Sequence, residues 1–335
     1  MFYRLVKTPI IVKTGKSILN NLQDILLEAH LFFPHKTLVT QGELYSRYKE
    51  VLDSCNFSQL IIVNGGSVDE FEVIKDRCNN QNTLLLAFGG GAILDIVKYS
   101  ANKLDLPYIT IPSTLSNDAI YSCVARLISD GKKTSFGVVP PIGIIVDLDI
   151  IRHSPTNLIL AGVADLMSNL SATSDWLLSH KMTGEPINEI AFMLAKEATM
   201  PMFQYSESDI TTDAFLLDLT NGLITSGLSM IISGDTRGTS GAEHLISHAI
   251  DEFFPEKSTI HGIQVGWAHL TIEKKYRRDS KMKSRLIDFY EDIGLTKLFG
   301  EYIKWNESDL ISLIPYAMQI RNRYTVFNTI DFRKS

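Results

Sequence analysis

Cysteine is scarce and scattered: Cys55, Cys78 and Cys123 are the only three, and no CxxC pair occurs. An odd, dispersed set speaks against both a disulfide framework and a cysteine-built zinc site, and fits a reducing cytoplasm. Long hydrophobic runs are missing too, since none approaches the ~20 residues that a bilayer crossing needs. The N-terminal stretch MFYRLVKTPIIVKTG has no apolar core followed by a small-residue cleavage site, so it does not read as a signal peptide. A soluble, cytoplasmic protein without a membrane span is expected. There is no excess of positive charge: 32 Lys and Arg stand against 38 Asp and Glu, a formal net charge of −6. No nucleic-acid partner is expected, because non-specific binding rests on neutralising phosphates with Lys and Arg. A local basic pocket for a small anion stays compatible with that balance. HExxH is absent, so a zinc peptidase is not indicated. Internal repeats and low-complexity tracts are lacking as well.

What is present suits two domains of ordinary size. The chain has 335 residues, 45% of them apolar, enough for a core in each half. Residues 37–40 (TLVT), 60–63 (LIIV), 83–88 (TLLLAF), 108–111 (YITI) and 142–146 (IGIIV) are short, β-branched and bounded by Gly, Pro or Asn. They read as buried strands. Residues 16–30, 42–55 and 68–78 carry helix-like spacing of apolar positions between them. Strands alternating with helices imply a mostly parallel sheet covered on both faces. After Pro155 the texture becomes long and periodic, with helices expected over 157–182, 187–200, 209–232, 239–254, 261–276 and 281–293. The tail after Arg321 is polar and ambiguous. An α/β N-terminal domain over 1–153 and an all-α C-terminal domain over 154–335 follow.

The strand at 83–88 runs straight into Gly89-Gly90-Gly91 and then AILDIVK. Glycine lets the chain turn sharply and lets backbone N–H groups approach an anion, and the helix N-terminus behind adds partial positive charge. A pyrophosphate is the natural ligand, although three glycines can also make a plain structural turn. Asp95 and Lys98 can likewise be an ordinary helical pair. The strand at 108–111 leads into Pro112-Ser113-Thr114-Leu115-Ser116-Asn117-Asp118, three hydroxyls, an amide and a carboxylate at a strand's C-terminal end. In open α/β sheets ligands sit outside those ends, so a ligand shared by the two loops is favoured over an Asn-Asp helix cap.

In the second half, Asp165 lies inside the apolar segment LILAGVADLMSNL, where an unpaired carboxylate would be costly. Its partner must come from elsewhere, a lysine being one option. His244 and His248 stand at i and i+4 on one helix face, and His261 follows a turn containing Pro255. Packed core histidines are one reading. A carboxylate with two or three neutral imidazoles around Zn²⁺, a position left open for a substrate oxygen, is the favoured one.

Five segments in order, FGGGAILDIVKYSA, LPYITIPSTLSNDAIYS, AGVADLMSNLSATSDW, SGAEHLISHAID and IHGIQVGWAHL, resemble the superfamily of glycerol dehydrogenases, iron-containing alcohol dehydrogenases and dehydroquinate synthase. The finer resemblance, carried by SNLSATSDW and the SGAEH–SH–HG series, is to the sn-glycerol-1-phosphate dehydrogenase family. It covers roughly residues 80–270. The resemblance implies a dehydroquinate synthase-like fold and reduction of dihydroxyacetone phosphate, a small phosphorylated substrate, with NAD(H) or NADP(H) and a divalent metal, Zn²⁺ first among candidates. It makes Asp165, His244 and His261 the metal ligands and sets His248 beside the substrate as proton donor. Gly89, Gly90, Gly91, Ala92, Ile93, Leu94 and Asp95, with Ser113, Thr114, Leu115 and Ser116, would contact the dinucleotide, Ser122 nearby. Asp118 would contact the substrate. Arg237, seven residues before His244 in the hydroxyl- and glycine-rich SGDTRGTS, is the candidate for the substrate phosphate, a solvent-facing arginine being the alternative. The sequence departs from the family pattern at Ala119, Cys123 and Ile263. Thr40-Gln41, at the end of a strand, offers no carboxylate to a ribose hydroxyl, which permits NADPH as well as NADH. Oligomeric state is left open, a homo-oligomer included.

Overall fold

The structure is a computed structural model, and it describes residues 8–78, 82–277 and 281–331. Two compact units emerge. One comprises the chain through Leu115 together with Ala119–Pro155; the other comprises Ser116–Asp118 and the chain from Thr156 onward.

The first unit is built on a six-stranded parallel sheet: β1 (Ile11–Gly15), β2 (His35–Thr40), β3 (Gln59–Ile62), β4 (Thr83–Gly89), β5 (Tyr108–Pro112) and, further on, β8 (Gly143–Asp147). Its order is β1-β8-β5-β4-β2-β3. Strand β4 explains why the expected runs are apolar throughout. Leu85 and Ala87 join one core with Ile93, Ile96 and Val97 of the helix Gly91–Leu104, while Leu84, Leu86 and Phe88 join another with Leu38, Ile109 and Ile111. Successive side chains point to opposite faces, so a strand covered on both faces must be apolar at every position.

Strand β1, the hairpin that follows β5 and the helices Leu148–Arg152, Leu295–Tyr302 and Leu310–Ile320 lie outside the expected set. Strand β1 pairs with β8 at the sheet edge. Strands β6 (Val124–Ser129) and β7 (Lys132–Gly137) form an antiparallel hairpin. Asp130 and Gly131 join them with φ of 53° and 75°, the two positive values of a primed turn that matches strand twist. The Asp-Gly pair was the available signal. The hairpin docks on the helix Gly91–Leu104 through Asp95, which accepts from the Arg126 backbone N–H (3.0 Å) and from Lys98 Nζ (3.1 Å). The expected helix over 42–55 is broken at Tyr48 into Gly42–Arg47 and Lys49–Ser54.

The second unit is helical: Thr156–Met167, Asn169–Thr183, Glu189–Glu197, Asp213–Ser233, Ala242–Phe253, His261–Lys275, Lys281–Asp292, Leu295–Tyr302 and Leu310–Ile320. Ser168 divides the expected 157–182 helix in two. Asp213–Ser233 is long and apolar enough to cross a membrane, yet Phe215, Leu216, Leu219 and Leu223 are fully buried in this unit, as befits a core helix. The helix His261–Lys275 packs on Thr156–Met167 at very short range. A Cβ on Gly262 would stand 2.1 Å from the Ala161 carbonyl oxygen, and one on Gly266 would stand 2.6 Å from the Ala164 Cβ. Only glycine permits that approach.

A buried titratable chain braces the same helix. His269 is fully buried, its Nδ1 3.0 Å from the Tyr290 hydroxyl, and burial pushes its pKa down to about 4 despite Glu273. Because that value lies below the 6.5 of an ordinary histidine, the unfolded chain binds a proton that the native state refuses as pH falls. His269 therefore costs stability between pH 6.5 and 4, up to about 3 kcal/mol at the lower end, and nothing above 6.5. Urea midpoints measured in EDTA should fall across that window in the parent. They should fall less steeply in His269→Gln. Parallel curves would show that His269 does not set the acid limb.

Candidate metal centre and dinucleotide turn

In the first unit, Gly89 and Pro112 are paired residues on β4 and β5, so the glycine turn and the Ser113 loop leave adjacent strand ends. The Ser113 N–H donates to the Gly89 carbonyl at 2.9 Å. Gly90 caps the helix Gly91–Leu104 in extended conformation, and no side chain caps the helix end. The Ile93 and Leu94 N–H groups donate to the Gly90 carbonyl (3.0 and 3.1 Å), so the N–H groups that the turn can offer an anion are those ahead of them, at Gly91 and Ala92. A Cβ on Gly89 would stand 2.6 Å from Ile93, and one on Gly90 would stand 3.4 Å from the Thr114 methyl. Ala92, Ile93 and Leu94 form the first turn, the latter two buried. Asp95 and Ser122 are tied together by Lys98, whose fully buried Nζ reaches Asp95 Oδ1 (3.1 Å) and Ser122 Oγ (2.9 Å). Gly90→Val should weaken NADH binding at least tenfold while metal content is unchanged. Wild-type affinity by titration would make the turn merely structural.

In the second unit, three side chains distant in sequence converge. Asp165 Oδ1 lies 3.4 Å from His244 Nε2 and 3.8 Å from His261 Nε2, and one ligand atom from each residue lies within 4.8 Å of the others. Ligands at 2.0–2.2 Å around tetrahedral zinc are separated by ~3.3 Å, close to this spacing. Asp165 and His244 are buried, while the His261 side chain is 26% exposed, which gives the cluster an open side. Asp165 Oδ2 accepts from the Asp118 backbone N–H at 3.1 Å, but Oδ1 is buried with no hydrogen-bond partner among the described residues. An orphaned carboxylate oxygen facing two imidazole nitrogens fits a divalent cation.

The remaining histidine nitrogens are engaged by the protein. His244 Nδ1 lies 3.0 Å from Glu243 Oε1, and His261 Nδ1 lies 3.1 Å from Ser247 Oγ. His248 lies close by: its ring centroid is 6.1 Å from that of His244 and 5.8 Å from that of His261, with which it stacks. The electrostatics favour positive charge. Burial would raise the Asp165 carboxyl, but the neighbouring His244 and His261 imidazoles outweigh it and hold the group below the ordinary range. Burial would lower His244, but Asp165 and Glu243 push it up to about 9, and Glu243 itself, despite burial, is held down to about 2.

Arg237 is not solvent-facing: it is 2% exposed, Nε and Nη2 donate to the Glu185 carboxylate (3.0 and 2.7 Å), and Nη2 donates to the Tyr324 carbonyl (2.7 Å). That pairing anchors the C-terminal segment, and Nη1 is buried with no hydrogen-bond partner among the described residues. Glu185 and Tyr324 stand 52 and 87 residues away, which is why the sequence around Arg237 does not reveal them. Glu243, Ser247 and Gln264 went unassigned. Their signal was polar residues inside buried helices, beside the histidines.

The fold and this cluster define a class. Residues 14–155 match the family model described as iron-containing alcohol dehydrogenase. Among solved structures, the chain is similar to glycerol dehydrogenase from Schizosaccharomyces pombe, with TM-score 0.78 and 19% identity over 98% of this chain and 87% of that one. It is also similar to an iron-containing alcohol dehydrogenase from Thermotoga maritima, with TM-score 0.66 and 15% identity over 97% of both chains. At such identities the likeness is one of fold. Curated relatives carry the finer placement. The glycerol-1-phosphate dehydrogenase [NAD(P)+] of Methanococcus aeolicus is 32% identical over 96% of this chain and 94% of its own length. That of Sulfolobus acidocaldarius is 33% identical over 96% and 92%. The chain belongs to the glycerol-1-phosphate dehydrogenase family.

Proposed function

We propose that the chain reduces dihydroxyacetone phosphate to sn-glycerol 1-phosphate with NADH or NADPH, using a divalent metal, zinc first among candidates, held by Asp165, His244 and His261. The observation that carries the metal reading is the orphaned Asp165 Oδ1 facing two histidine Nε2 atoms, in a chain of this family. A metal held there supplies Lewis acidity toward a carbonyl oxygen, and the nicotinamide supplies the hydride.

The chain's own residues supply placement and a proton. Gly89, Gly90 and Gly91, with the first helical turn behind them, offer backbone N–H groups to the pyrophosphate. Ser113, Thr114, Leu115 and Ser116 line the neighbouring loop toward the dinucleotide. Asp118, whose backbone N–H holds Asp165, contacts the substrate. As hydride reaches the carbonyl carbon, its oxygen needs a proton, and a ring nitrogen of His248 donates it directly or through one water. Histidine is the side chain that most often transfers protons near neutral pH. Arg237 stays the candidate for the substrate phosphate through Nη1, the guanidinium nitrogen that Glu185 and Tyr324 leave without a partner.

Turnover with dihydroxyacetone phosphate, measured with each nicotinamide and after dialysis against a chelator, tests the reading. A preference for unphosphorylated dihydroxyacetone would move the chain to glycerol dehydrogenase chemistry. Phosphate release from a sugar phosphate would point to a cyclase. Nucleotide binding without any turnover would leave a silent dinucleotide-binding relative.

A further inference from the structure

A histidine offers a metal only the nitrogen that its other contacts leave free, so the partner of Nδ1 decides where Nε2 points. Glu243 is fully buried in the first turn of Ala242–Phe253. Its Oε1 accepts from the Gly241 N–H at 2.6 Å and faces His244 Nδ1 at 3.0 Å. Ser247 stands in the same relation to His261, and Gln264 fixes it by donating to Ser247 Oγ at 3.0 Å while accepting from the Thr259 N–H at 2.7 Å. One histidine thus leans on a carboxylate and the other on a hydroxyl.

We propose that Glu243 is a positioning residue for the metal centre: it holds His244 with a proton on Nδ1 and Nε2 turned toward Asp165, and it places a second negative charge beside the cation. This rests on the reading that Asp165, His244 and His261 hold a divalent metal. Helix capping alone does not account for the residue, because a neutral glutamine would cap Gly241 equally well without the cost of burying a charge. The charge is accounted for by the cation: Asp165 and Glu243 together balance two positive charges in a site from which water is largely excluded. The nearby Asp175 carboxylate has its own cation in Arg277, 2.7 Å away, which it shares with Glu273. Ser247 orients His261 without adding charge, so the two histidines are supported unequally.

Zinc affinity, by competition with a chromophoric chelator, and the visible spectrum of the cobalt-loaded protein test this in the full chain. Glu243→Gln keeps the hydrogen-bond acceptor and removes the charge. It is expected to fold, to take up one equivalent of metal at saturation, and to bind it about 10–100-fold more weakly with a shifted cobalt spectrum. Ser247→Ala should show a smaller loss. Wild-type affinity and an unshifted spectrum in Glu243→Gln would overturn the proposal. Should that variant not fold, histidine ¹H–¹⁵N correlations of the zinc-loaded wild type decide instead: His244 is expected protonated at Nδ1, and the opposite tautomer overturns the assignment. Failure of the underlying metal reading looks different, namely a wild type that takes up no metal or a His244→Ala protein that keeps a full equivalent.

Discussion

His244→Ala is expected to yield a folded protein that retains little metal and has no measurable turnover, whereas His248→Ala should keep its metal and lose about 10²–10⁴-fold in turnover. The two residues lie one helical turn apart, with ring centroids 6.1 Å apart, so a nonspecific effect on the helix would strike both alike. Their surroundings differ. His244 Nε2 is turned to the orphaned Asp165 Oδ1, with Nδ1 on a buried carboxylate. Removing it takes away one of three ligand atoms and leaves Asp165 and Glu243 as buried charges without their shared partner, a costly condition. His248 lies outside the three-residue cluster and is only partly buried. Its loss removes a proton donor and leaves the ligands in place. Metal content by atomic emission, together with single-turnover rates, separates the cases. Zinc kept in His244→Ala and lost in His248→Ala would mean that the two roles are exchanged.

Much of this was legible in the sequence because local pattern carries it. The strands at 37–40, 83–88, 108–111 and 142–146 announce themselves as short, largely apolar or β-branched runs because they are buried, and 60–63 does so although Ile62 is 45% exposed on the edge strand. The i, i+4 histidines and the aspartate in an apolar helix carry their chemistry in the residue types, and the structure brings Asp165, His244 and His261 together. What was not legible depends on pairings between distant segments. Strand β1 has a mixed pattern because it lies at the sheet edge, where Ile11 is its one buried residue. Arg237 reads as an exposed cation, and only the structure shows Glu185 and Tyr324 holding its Nε and Nη2. Glu243 reads as a helix-start carboxylate, and only its burial beside His244 Nδ1 gives it a different purpose. The hairpin at 124–137 is a different kind of miss, because its Asp-Gly turn is a local signal.

Gly262→Ala is expected to cost about 3–5 kcal/mol and most of the metal affinity, although it alters neither a ligand nor a charge. Its added methyl would stand 2.1 Å from the Ala161 carbonyl oxygen and 2.7 Å from the carbonyl carbon. Both are main-chain atoms in the middle of Thr156–Met167, so no side-chain rotation makes room and the two helices must separate. Asp165 lies one turn beyond Ala161, and His261 immediately precedes Gly262. Their 3.8 Å approach depends on the contact that the methyl destroys. Gly266→Ala makes an informative contrast. There the clash is with the Ala164 Cβ at 2.6 Å and the tip of the Phe299 ring at 3.0 Å, both side-chain atoms. Adding Ala164→Gly should therefore restore much of the stability lost in Gly266→Ala, whereas Ala161→Gly should restore none of that lost in Gly262→Ala. Denaturation midpoints and zinc stoichiometry on the four variants read the comparison. A Gly262→Ala protein with wild-type stability and a full equivalent of zinc would mean that these helices are not held at the spacing the site requires.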